Sequence, residues 1–389
     1  MKAKVIIGAN YGDEGKGLVT AYFSKQARDN NETCLNILTN GGAQRAHTVE
    51  CLNGRTHIFH HFGSGLWFGA DTLFSNEFIL NPMEFVREYS ELYKTGVPMP
   101  HIWVSAECRV STPFDMILNQ ELERSRGDNR HGSCGYGIWE TINRYRRIQS
   151  PCWQQLIEKS YFEIRDYLKY LSTHYIRSMF KEYGISPDLR DYDINGMIDH
   201  YIEDVNIMAS FTNILSRFPV DMRGTLLKSY DNLIYECGQG LMLSEQKMNI
   251  WPHNTPSITG INKKIHSFDL HGDENAEVIY VSRTYLTRHG AGPLPHECDP
   301  NWISLGLQDY TNIKNEWQGS LRYAELNPNE LYKRIDDDFQ NARHCYKKSI
   351  FFTHCNIRKP PRIKRGFYKA YYSYSPFCDE DIKVKKTIW

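Results

Sequence analysis

The sequence predicts an α/β fold: a mostly parallel central sheet with helices on both faces and an inserted helical lobe. Short apolar runs, typical of buried strands, alternate with segments of helical character, as in a parallel sheet. Each run ends in a loop of small or polar residues, where such sheets bind their ligands. Residues 151–218 have a helical period that breaks near residue 184, so we expect a lobe within one domain spanning residues 1–389.

The first strand, residues 5–7, leads into a glycine-rich loop and then into a helix. Such a turn presents backbone N–H groups and a helix N-terminus to an anion, and Lys16 adds a positive charge for phosphate. Gly8 and Gly15 enclose six residues, more than in an ordinary P-loop, and Gly17 replaces the usual magnesium-binding hydroxyl. We therefore predict a P-loop-like nucleotide site that differs from an ordinary P-loop in its spacing and in how it would bind magnesium.

Two carboxylates, Asp13 and Glu14, lie inside this loop, where they would repel bare phosphate. Their presence is reasonable if one of them holds a metal ion or removes a proton. The alternative is a glycine-rich turn whose acidic side chains are merely solvated.

Later elements follow the same pattern. Residues 41–49 form a second glycine turn after the strand at 34–40, and His47 in this turn is a candidate acid or base.

The basic segment 139–147 suits phosphate, although a solvated helix end explains it equally well. The other predicted strands are 101–105, 233–236, 278–282 and 350–352, and the predicted helices after the first are 82–92 and 113–126.

Composition excludes several classes of protein. The chain of 389 residues has 46 basic and 46 acidic residues, so nothing suggests attraction to nucleic acid or anionic lipid. The ten cysteines form no Cys-x-x-Cys pair, which argues against a zinc site and a redox dithiol. No segment has the length of a membrane span, and the start is too weakly apolar for a signal peptide. We expect a soluble cytoplasmic protein with reduced thiols.

The loop Gly-Asp-Glu-Gly-Lys-Gly at 12–17, together with residues 41–48, resembles adenylosuccinate synthetase. Further matches follow in that family's order, at 133–138, at 236–240, at Pro252 and Thr255, and at 287–293. The resemblance implies a two-step ligation, in which a nucleoside triphosphate phosphorylates the 6-oxygen of a purine monophosphate. The amino group of L-aspartate then displaces that phosphate.

The resemblance also implies roles for single residues. Asp13 would remove the purine N1 proton and, with the carbonyl of Ala46, ligate Mg²⁺. Lys16 would neutralise phosphate oxygens, His47 would stabilise the moving phosphoryl group and act as an acid, and Gln239 would assist at the purine.

Three groups of contacts complete the implied site. The triphosphate would contact Gly12, Glu14, Gly15, Lys16, Gly17, His47, Thr48, Arg322, His354, Asn356, Ser373 and Ser375. The purine monophosphate would contact Asp13, Gln44, Arg45, Ala46, Ser133, Cys134, Arg147, Gln239, Thr255 and Ser320. L-Aspartate would contact Gln318, Gly319 and Arg322. The family takes one phosphate-binding arginine from a partner subunit, which implies a homodimer with Arg144 or Arg147 acting in trans.

Departures from the family pattern suggest the substrates. Ser320 stands where the family has an arginine that reaches the ribose, and losing that contact lowers selection for a 2′-hydroxyl. Residues 353–356 replace the base-reading Thr-Lys-Leu-Asp by Thr-His-Cys-Asn, and Asn356 both donates and accepts, as adenine requires. Residues 373–376 look like a remnant of the last nucleotide loop. These changes resemble the viral (phage) branch, although that branch often lacks the loop carboxylate that is present here as Asp13.

We therefore predict a ligase that converts ATP, dGMP and L-aspartate, with Mg²⁺, to 2-amino-2′-deoxyadenylosuccinate, a precursor of diaminopurine DNA, in the host cytoplasm. One alternative is an ordinary adenylosuccinate synthetase that uses IMP and GTP. A second is a nucleotide-binding regulator without turnover, against which the retention of Asp13, Lys16 and His47 argues.

Overall fold

The computed structural model describes residues 2–215, 221–261, 276–307, 309, 316–340, 342 and 346–386. The helices are α1 (Lys16–Asp29), α2 (Pro82–Tyr93), α3 (Pro113–Arg126), α4 (Ile138–Arg147), α5 (Trp153–Ile157), α6 (Tyr161–Tyr170), α7 (Ile176–Glu182), α8 (Ile194–Phe211), α9 (Asp221–Lys228), α10 (Pro300–Ile303) and α11 (Pro328–Phe339). The strands are β1 (Lys2–Gly8), β2 (Cys34–Leu38), β3 (His47–Glu50), β4 (Thr56–Phe59), β5 (Asp71–Phe74), β6 (Ile79–Leu80), β7 (Ile102–Ser105), β8 (Arg109–Val110), β9 (Asn213–Leu215), β10 (Asn232–Gly240), β11 (Glu277–Arg283), β12 (Leu286–Arg288), β13 (Glu297–Cys298), β14 (Arg322–Ala324), β15 (Lys347–Thr353), β16 (Lys369–Tyr372) and β17 (Lys383–Lys386).

Ten of the described strands form one sheet in the order β17-β16-β15-β11-β1-β10-β2-β5-β7-β9. Its neighbouring strands are parallel except for the antiparallel pair β16 and β17 at one edge. Both faces of the sheet are covered: Ile6 of β1 packs in one hydrophobic cluster with Val19 of α1, while Val5 packs in another with Leu331 of α11. The predicted mostly parallel sheet with helices on both faces is confirmed.

The helical lobe comprises α5 to α8, with a π-helical turn at Leu171–Tyr175 joining α6 to α7. Its apolar side chains belong to the same hydrophobic cluster as Phe85 of α2 and Leu118 of α3, so the lobe packs directly on the main body. The helices end at Phe211, earlier than predicted, because residues 213–215 form strand β9. A three-residue strand is too short to show a period of its own. Residues 216–218 of the predicted lobe lie outside the described residues.

Local sequence explains where α2 and α3 begin. The side chain of Asn81 accepts a hydrogen bond from the Glu84 N–H, and Thr112 and Asp115 form a reciprocal capping box. A proline occupies the first turn of each helix, where a missing N–H costs nothing. None of the helices in the described part of the chain is both long enough and apolar enough to cross a membrane.

The middle of the sheet positions the candidate site. Strands β15, β11, β1, β10 and β2 are adjacent and parallel, so the loops that follow them all lie beyond the carboxyl ends of the strands. These loops carry the glycine-rich segment after β1, the turn before His47 and the segment at 353–356.

Candidate functional site

The glycine-rich loop is braced from inside by Glu14. Its carboxylate accepts hydrogen bonds from the N–H groups of Asn10 (2.9 Å) and Gly12 (2.8 Å) and lies 3.3 Å from the ammonium of Lys16. Lys16 also donates to the Gly12 carbonyl at 2.5 Å. Glu14 is 2% exposed, so its side chain shapes the loop and does not face a ligand.

Close packing explains the glycine after Lys16. A β-carbon at Gly17 would lie 2.7 Å from the Thr48 carbonyl oxygen and 3.1 Å from the His47 side chain. The strand β3 therefore crosses directly over the start of α1, which brings His47 and Thr48 beside the loop. The hydroxyl that an ordinary P-loop carries at this position has no room here.

A cavity of about 390 Å³ opens beside this loop. Its wall contains many of the residues predicted for the triphosphate: Gly12, Gly15, Lys16, Gly17, His47, Thr48, His354, Asn356 and Ser375. Asp13 and Ala46, the predicted metal ligands, line the same cavity. We call it the triphosphate pocket, after the ligand that the sequence predicts for these residues.

A second cavity of about 560 Å³ adjoins the first. Its wall contains five of the residues predicted for the purine monophosphate, Gln44, Ser133, Cys134, Gln239 and Thr255, and also Gln318 from the predicted aspartate loop. The amide of Gln318 donates to the Gly132 carbonyl (3.4 Å), so the aspartate loop, which includes Gly319, rests against the Ser133 loop. We call this cavity the monophosphate pocket, again after the ligand predicted from the sequence.

Asp13 lies where the two pockets meet. It lines the triphosphate pocket, and its Oδ1 is 3.9 Å from Nε2 of His289, which lines the monophosphate pocket. The neighbouring Gly12 faces Gln239, since a β-carbon at Gly12 would lie 3.4 Å from the Gln239 side-chain oxygen. A carboxylate at this junction can reach groups bound on either side.

His47 is held by a buried network around Glu236 of β10. One carboxylate oxygen of Glu236 lies 2.5 Å from His47 Nδ1 and 2.8 Å from Arg45 Nη2, and it also accepts from the Ser64 hydroxyl. The other oxygen accepts from the Ser64 N–H at 3.1 Å. Two acceptor atoms cannot approach to 2.5 Å without a proton between them. Because Arg45 and His47 lower the pKa of Glu236 and keep it ionised, we assign that proton to Nδ1 of His47, which leaves Nε2 for the pocket.

The charges in this network are set by burial and by Arg45. Burial, reinforced by the Arg45 guanidinium, lowers the pKa of His47 to about 3, so the imidazole is neutral near pH 7. Burial alone would raise the pKa of Glu236, but Arg45 and His47 lower it to about 2. The side chain of Arg45 is buried beneath His47, so its predicted contact with the monophosphate becomes a supporting one in the structure.

The segment at 353–356 joins the first loop of the chain to the segment that follows β16. The Thr353 hydroxyl donates to the Glu14 carbonyl (2.8 Å), and the Cys355 N–H donates to the Ser373 carbonyl (2.9 Å). Burial, reinforced by Arg283, lowers the pKa of His354 to about 3. The Ser373 hydroxyl is buried and donates to the Ser375 carbonyl (2.7 Å), so Ser373 supports the pocket wall from behind.

The three remaining arginines occupy different environments. Arg144 is 1% exposed and pairs with Asp115 at 2.9 Å, whereas Arg147 is exposed and pairs with Glu182 at 2.7 Å. Only Arg147 of these two therefore presents its guanidinium at the surface. Arg322 pairs with Glu297 and donates to the carbonyls of Gly290 (3.1 Å) and Gly292 (2.8 Å), behind the monophosphate pocket wall. Ser320 is exposed and lies outside both walls among the described residues.

Sequence reasoning missed several residues of the site. Arg283, at the end of β11, donates to the Asp13 carbonyl (2.5 Å) and to Asp309 (2.9 Å), and all three line the triphosphate pocket. Glu140 lines the monophosphate pocket, and burial raises its pKa to about 7. One feature of the sequence could have identified residues of this kind. Glu236 and Arg283 are charged residues inside or at the end of otherwise apolar strands.

Comparisons with known proteins agree with this geometry. The sequence model of the adenylosuccinate synthetase family matches residues 5–318. The adenylosuccinate synthetase of Lactobacillus acidophilus is 28% identical over 302 residues, covering 76% of this chain and 65% of that protein. The enzyme of Acaryochloris marina is 25% identical over 301 residues, covering 75% and 62%. The matched region thus spans less than two thirds of these relatives' own length.

Two solved structures share the fold. Fully ligated adenylosuccinate synthetase from Plasmodium falciparum has a TM-score of 0.70 at 16% identity, covering 96% of this chain and 80% of that one. The succinoaminodeoxyadenylate synthetase of cyanophage S-2L, bound to dGMP and to dATP as an energy donor, has a TM-score of 0.64 at 15% identity, covering 99% and 95%. Since the family's sequence model covers well over half of the residues, the chain belongs to the adenylosuccinate synthetase family.

Proposed function

We propose that the chain is a carbon–nitrogen ligase that uses ATP to join L-aspartate to the 6-position of dGMP. The products would be ADP, phosphate and 2-amino-2′-deoxyadenylosuccinate. The observation that carries the reaction class is the position of Asp13 between a pocket suited to a triphosphate and a pocket suited to a nucleotide monophosphate.

The first step would be phosphorylation of the purine 6-oxygen. That oxygen is a poor nucleophile until N1 loses its proton, and the Asp13 carboxylate is placed to accept it. The negative charge of a bound triphosphate would raise the pKa of His47. Protonated His47 would then donate from Nε2 to the moving phosphoryl group, while its Nδ1–H stays hydrogen-bonded to the Glu236 carboxylate.

Magnesium suits the residues of the triphosphate pocket. Asp13 and Ala46 both line it and offer a carboxylate and a backbone carbonyl, the hard oxygen ligands that Mg²⁺ prefers. When bound, the ion would neutralise charge on the phosphates during transfer. Lys16, held within the same loop, would add a second positive charge.

The second step would be displacement of the new phosphate by the amino group of L-aspartate. Gln318 lines the monophosphate pocket, so the loop that it shares with Gly319 is the proposed aspartate site. Arg322 would support this site indirectly, through its hydrogen bonds to the carbonyls of Gly290 and Gly292. Arg147 would bind phosphate of the other subunit in a homodimer, because Arg144 is occupied by Asp115.

The choice of ATP and a deoxynucleotide rests on two side chains. Asn356 lies in the triphosphate pocket wall and can both donate and accept hydrogen bonds, as the edge of adenine requires. Ser320 removes the arginine that would select for a ribose hydroxyl. The cyanophage synthetase that shares this fold was solved with dGMP and with dATP as an energy donor, which agrees with this choice.

A second candidate is the ordinary reaction with IMP and GTP. Asp13 favours it, because the phage branch often lacks this carboxylate. We therefore propose to measure phosphate release with ATP or GTP against dGMP, GMP and IMP, each with and without L-aspartate, and to identify products by mass spectrometry. The highest kcat/KM should occur with ATP and dGMP. A preference for GTP and IMP would contradict the substrate proposal, and binding without turnover for every purine would contradict the ligase proposal.

A further inference from the structure

Two cysteines and a carboxylate meet outside the two pockets. Sγ of Cys51 lies 3.5 Å from Sγ of Cys378, and a ligand atom of each of Cys51, Cys378 and Asp379 lies within 4.8 Å of the others. Both cysteines are buried, at 4% and 0% exposure, and Asp379 is half-buried. The Asp379 carboxylate is held in place by the Leu52 N–H at 2.9 Å.

We propose that Cys51, Cys378 and Asp379 bind one Zn²⁺ ion. Two thiolates and a carboxylate are ligands that zinc takes in proteins, and a fourth position would be filled by water. With zinc–sulfur bonds of about 2.3 Å in a tetrahedral site, the two sulfurs would be about 3.8 Å apart. A disulfide would instead need them at about 2.05 Å. The observed 3.5 Å is therefore much closer to the metal-bound arrangement than to the covalent one.

Binding needs no oxidant or reductant. Each thiol would lose its proton to solvent as its sulfur bonds to zinc, so the ion would replace two protons and the oxidation state of the sulfurs would not change. The cysteines lie 327 residues apart, and only the fold brings them together. This explains why the spacing of the cysteines in the sequence argued against a zinc site.

The ion would join two segments of the triphosphate pocket wall. Cys51 follows Glu50, and Cys378 follows Ser375 and Pro376, all three of which line the pocket. The segments already touch, since the Cys378 N–H donates to the Glu50 carbonyl at 2.9 Å. Zinc would hold the last part of the pocket wall to strand β3, independently of which nucleotides the pocket takes.

The test uses the full chain with intact thiols, loaded with Zn²⁺ and then dialysed. Metal analysis should find about one equivalent of Zn²⁺ per wild-type chain. Co²⁺ loaded in its place should give a thiolate-to-cobalt charge-transfer band. Cys51→Ser and Cys378→Ser should lose both signals, whereas Cys34→Ser, a change at a buried cysteine elsewhere, should keep them. Circular dichroism would verify that each variant is folded.

Three results would overturn the proposal. A wild-type chain that retained no zinc after dialysis would show that the site does not bind the ion. Zinc retained equally by the two serine variants would place the ion elsewhere. A mass two hydrogens lower than that of the reduced chain, with the peptides of Cys51 and Cys378 linked, would show a disulfide in place of the metal site.

Discussion

Replacing Glu236 by glutamine tests the network beneath His47. The carboxylate is fully buried and accepts from Arg45, His47 and Ser64, so glutamine would leave the Arg45 charge without its partner. A pKa of about 2 in place of the usual 4.5 corresponds, at about 1.36 kcal/mol per pKa unit, to about 3 kcal/mol of stability. This agrees with the range of about 3–5 kcal/mol for breaking a buried ion pair.

The sign of the pH dependence follows from the lowered pKa. The contribution of Glu236 is fully present above pH 4.5 and is lost as pH falls toward 2. Glu236→Gln should therefore unfold at lower urea concentration than wild type at pH 7, and the difference should shrink toward pH 3. Tryptophan fluorescence during urea unfolding, measured at several pH values, would give the free energy of unfolding for both chains.

Catalysis should fall by more than stability explains. With a neutral amide in place of the carboxylate, protonated His47 loses the negative charge that stabilises it, and we expect kcat to drop by about 10²–10⁴-fold under conditions where the variant is folded. Glu277→Gln is the matched control. Glu277 is also a buried carboxylate, accepting from Ser349 (2.5 Å) and Tyr371 (3.0 Å), but it is the first residue of β11, at the end of the strand opposite the candidate site. If Glu236→Gln kept a wild-type kcat, or if the control lost as much, the assigned role of Glu236 would be wrong.

Three further predictions concern the pockets. Asn356→Asp should shift the kcat/KM preference from ATP toward GTP by at least about tenfold, because aspartate only accepts hydrogen bonds. Arg147→Ala should lower kcat/KM for the monophosphate, and mixing it with Asp13→Ala should restore activity if the arginine acts in trans. Glu140→Gln should stabilise the chain above pH 7 by up to about 3 kcal/mol and leave it unchanged below pH 4.5, since the raised pKa of about 7 means that wild type loses stability as pH rises between these values.

Each of these has a result that would contradict it. An unchanged ATP preference in Asn356→Asp would show that this side chain does not read the base. Mixtures of the Arg147 and Asp13 variants that stay inactive, although both form dimers, would exclude action in trans. A stability difference for Glu140→Gln that is the same at pH 5 and pH 8 would show that the carboxyl does not titrate in this range.

Sequence reasoning predicted the parts of the site that are contiguous in the chain. The glycine-rich loop, the turn before His47 and the segment ending in Asn356 each carry their own pattern of small, polar and apolar residues. All of them lie in the walls of the two pockets. Local patterns are sufficient here because the strands are parallel, so the loops that follow their carboxyl ends all lie on the same side of the sheet.

Contacts between distant segments were beyond the reach of local patterns. Glu14 stands in the loop as a ligand would, yet its carboxylate turns inward to the N–H groups of Asn10 and Gly12. Arg144 and Arg147 are equally basic and lie on the same helix. Partners from other segments, Asp115, Tyr167 and the Val110 carbonyl, distinguish the buried arginine from the exposed one.

The hydrogen bond between the Thr353 hydroxyl and the Glu14 carbonyl has a consequence for the order of folding. It joins residues 339 positions apart in the chain, through strands β1, β11 and β15, which pair side by side. Bringing together residues so far apart in the chain costs conformational entropy, which is offset only when the strands between them have paired. We therefore expect this hydrogen bond to form late in folding. The first loop of the chain therefore reaches its final shape after β15 has joined the sheet. Nucleotide binding should accordingly be among the last properties to appear during refolding.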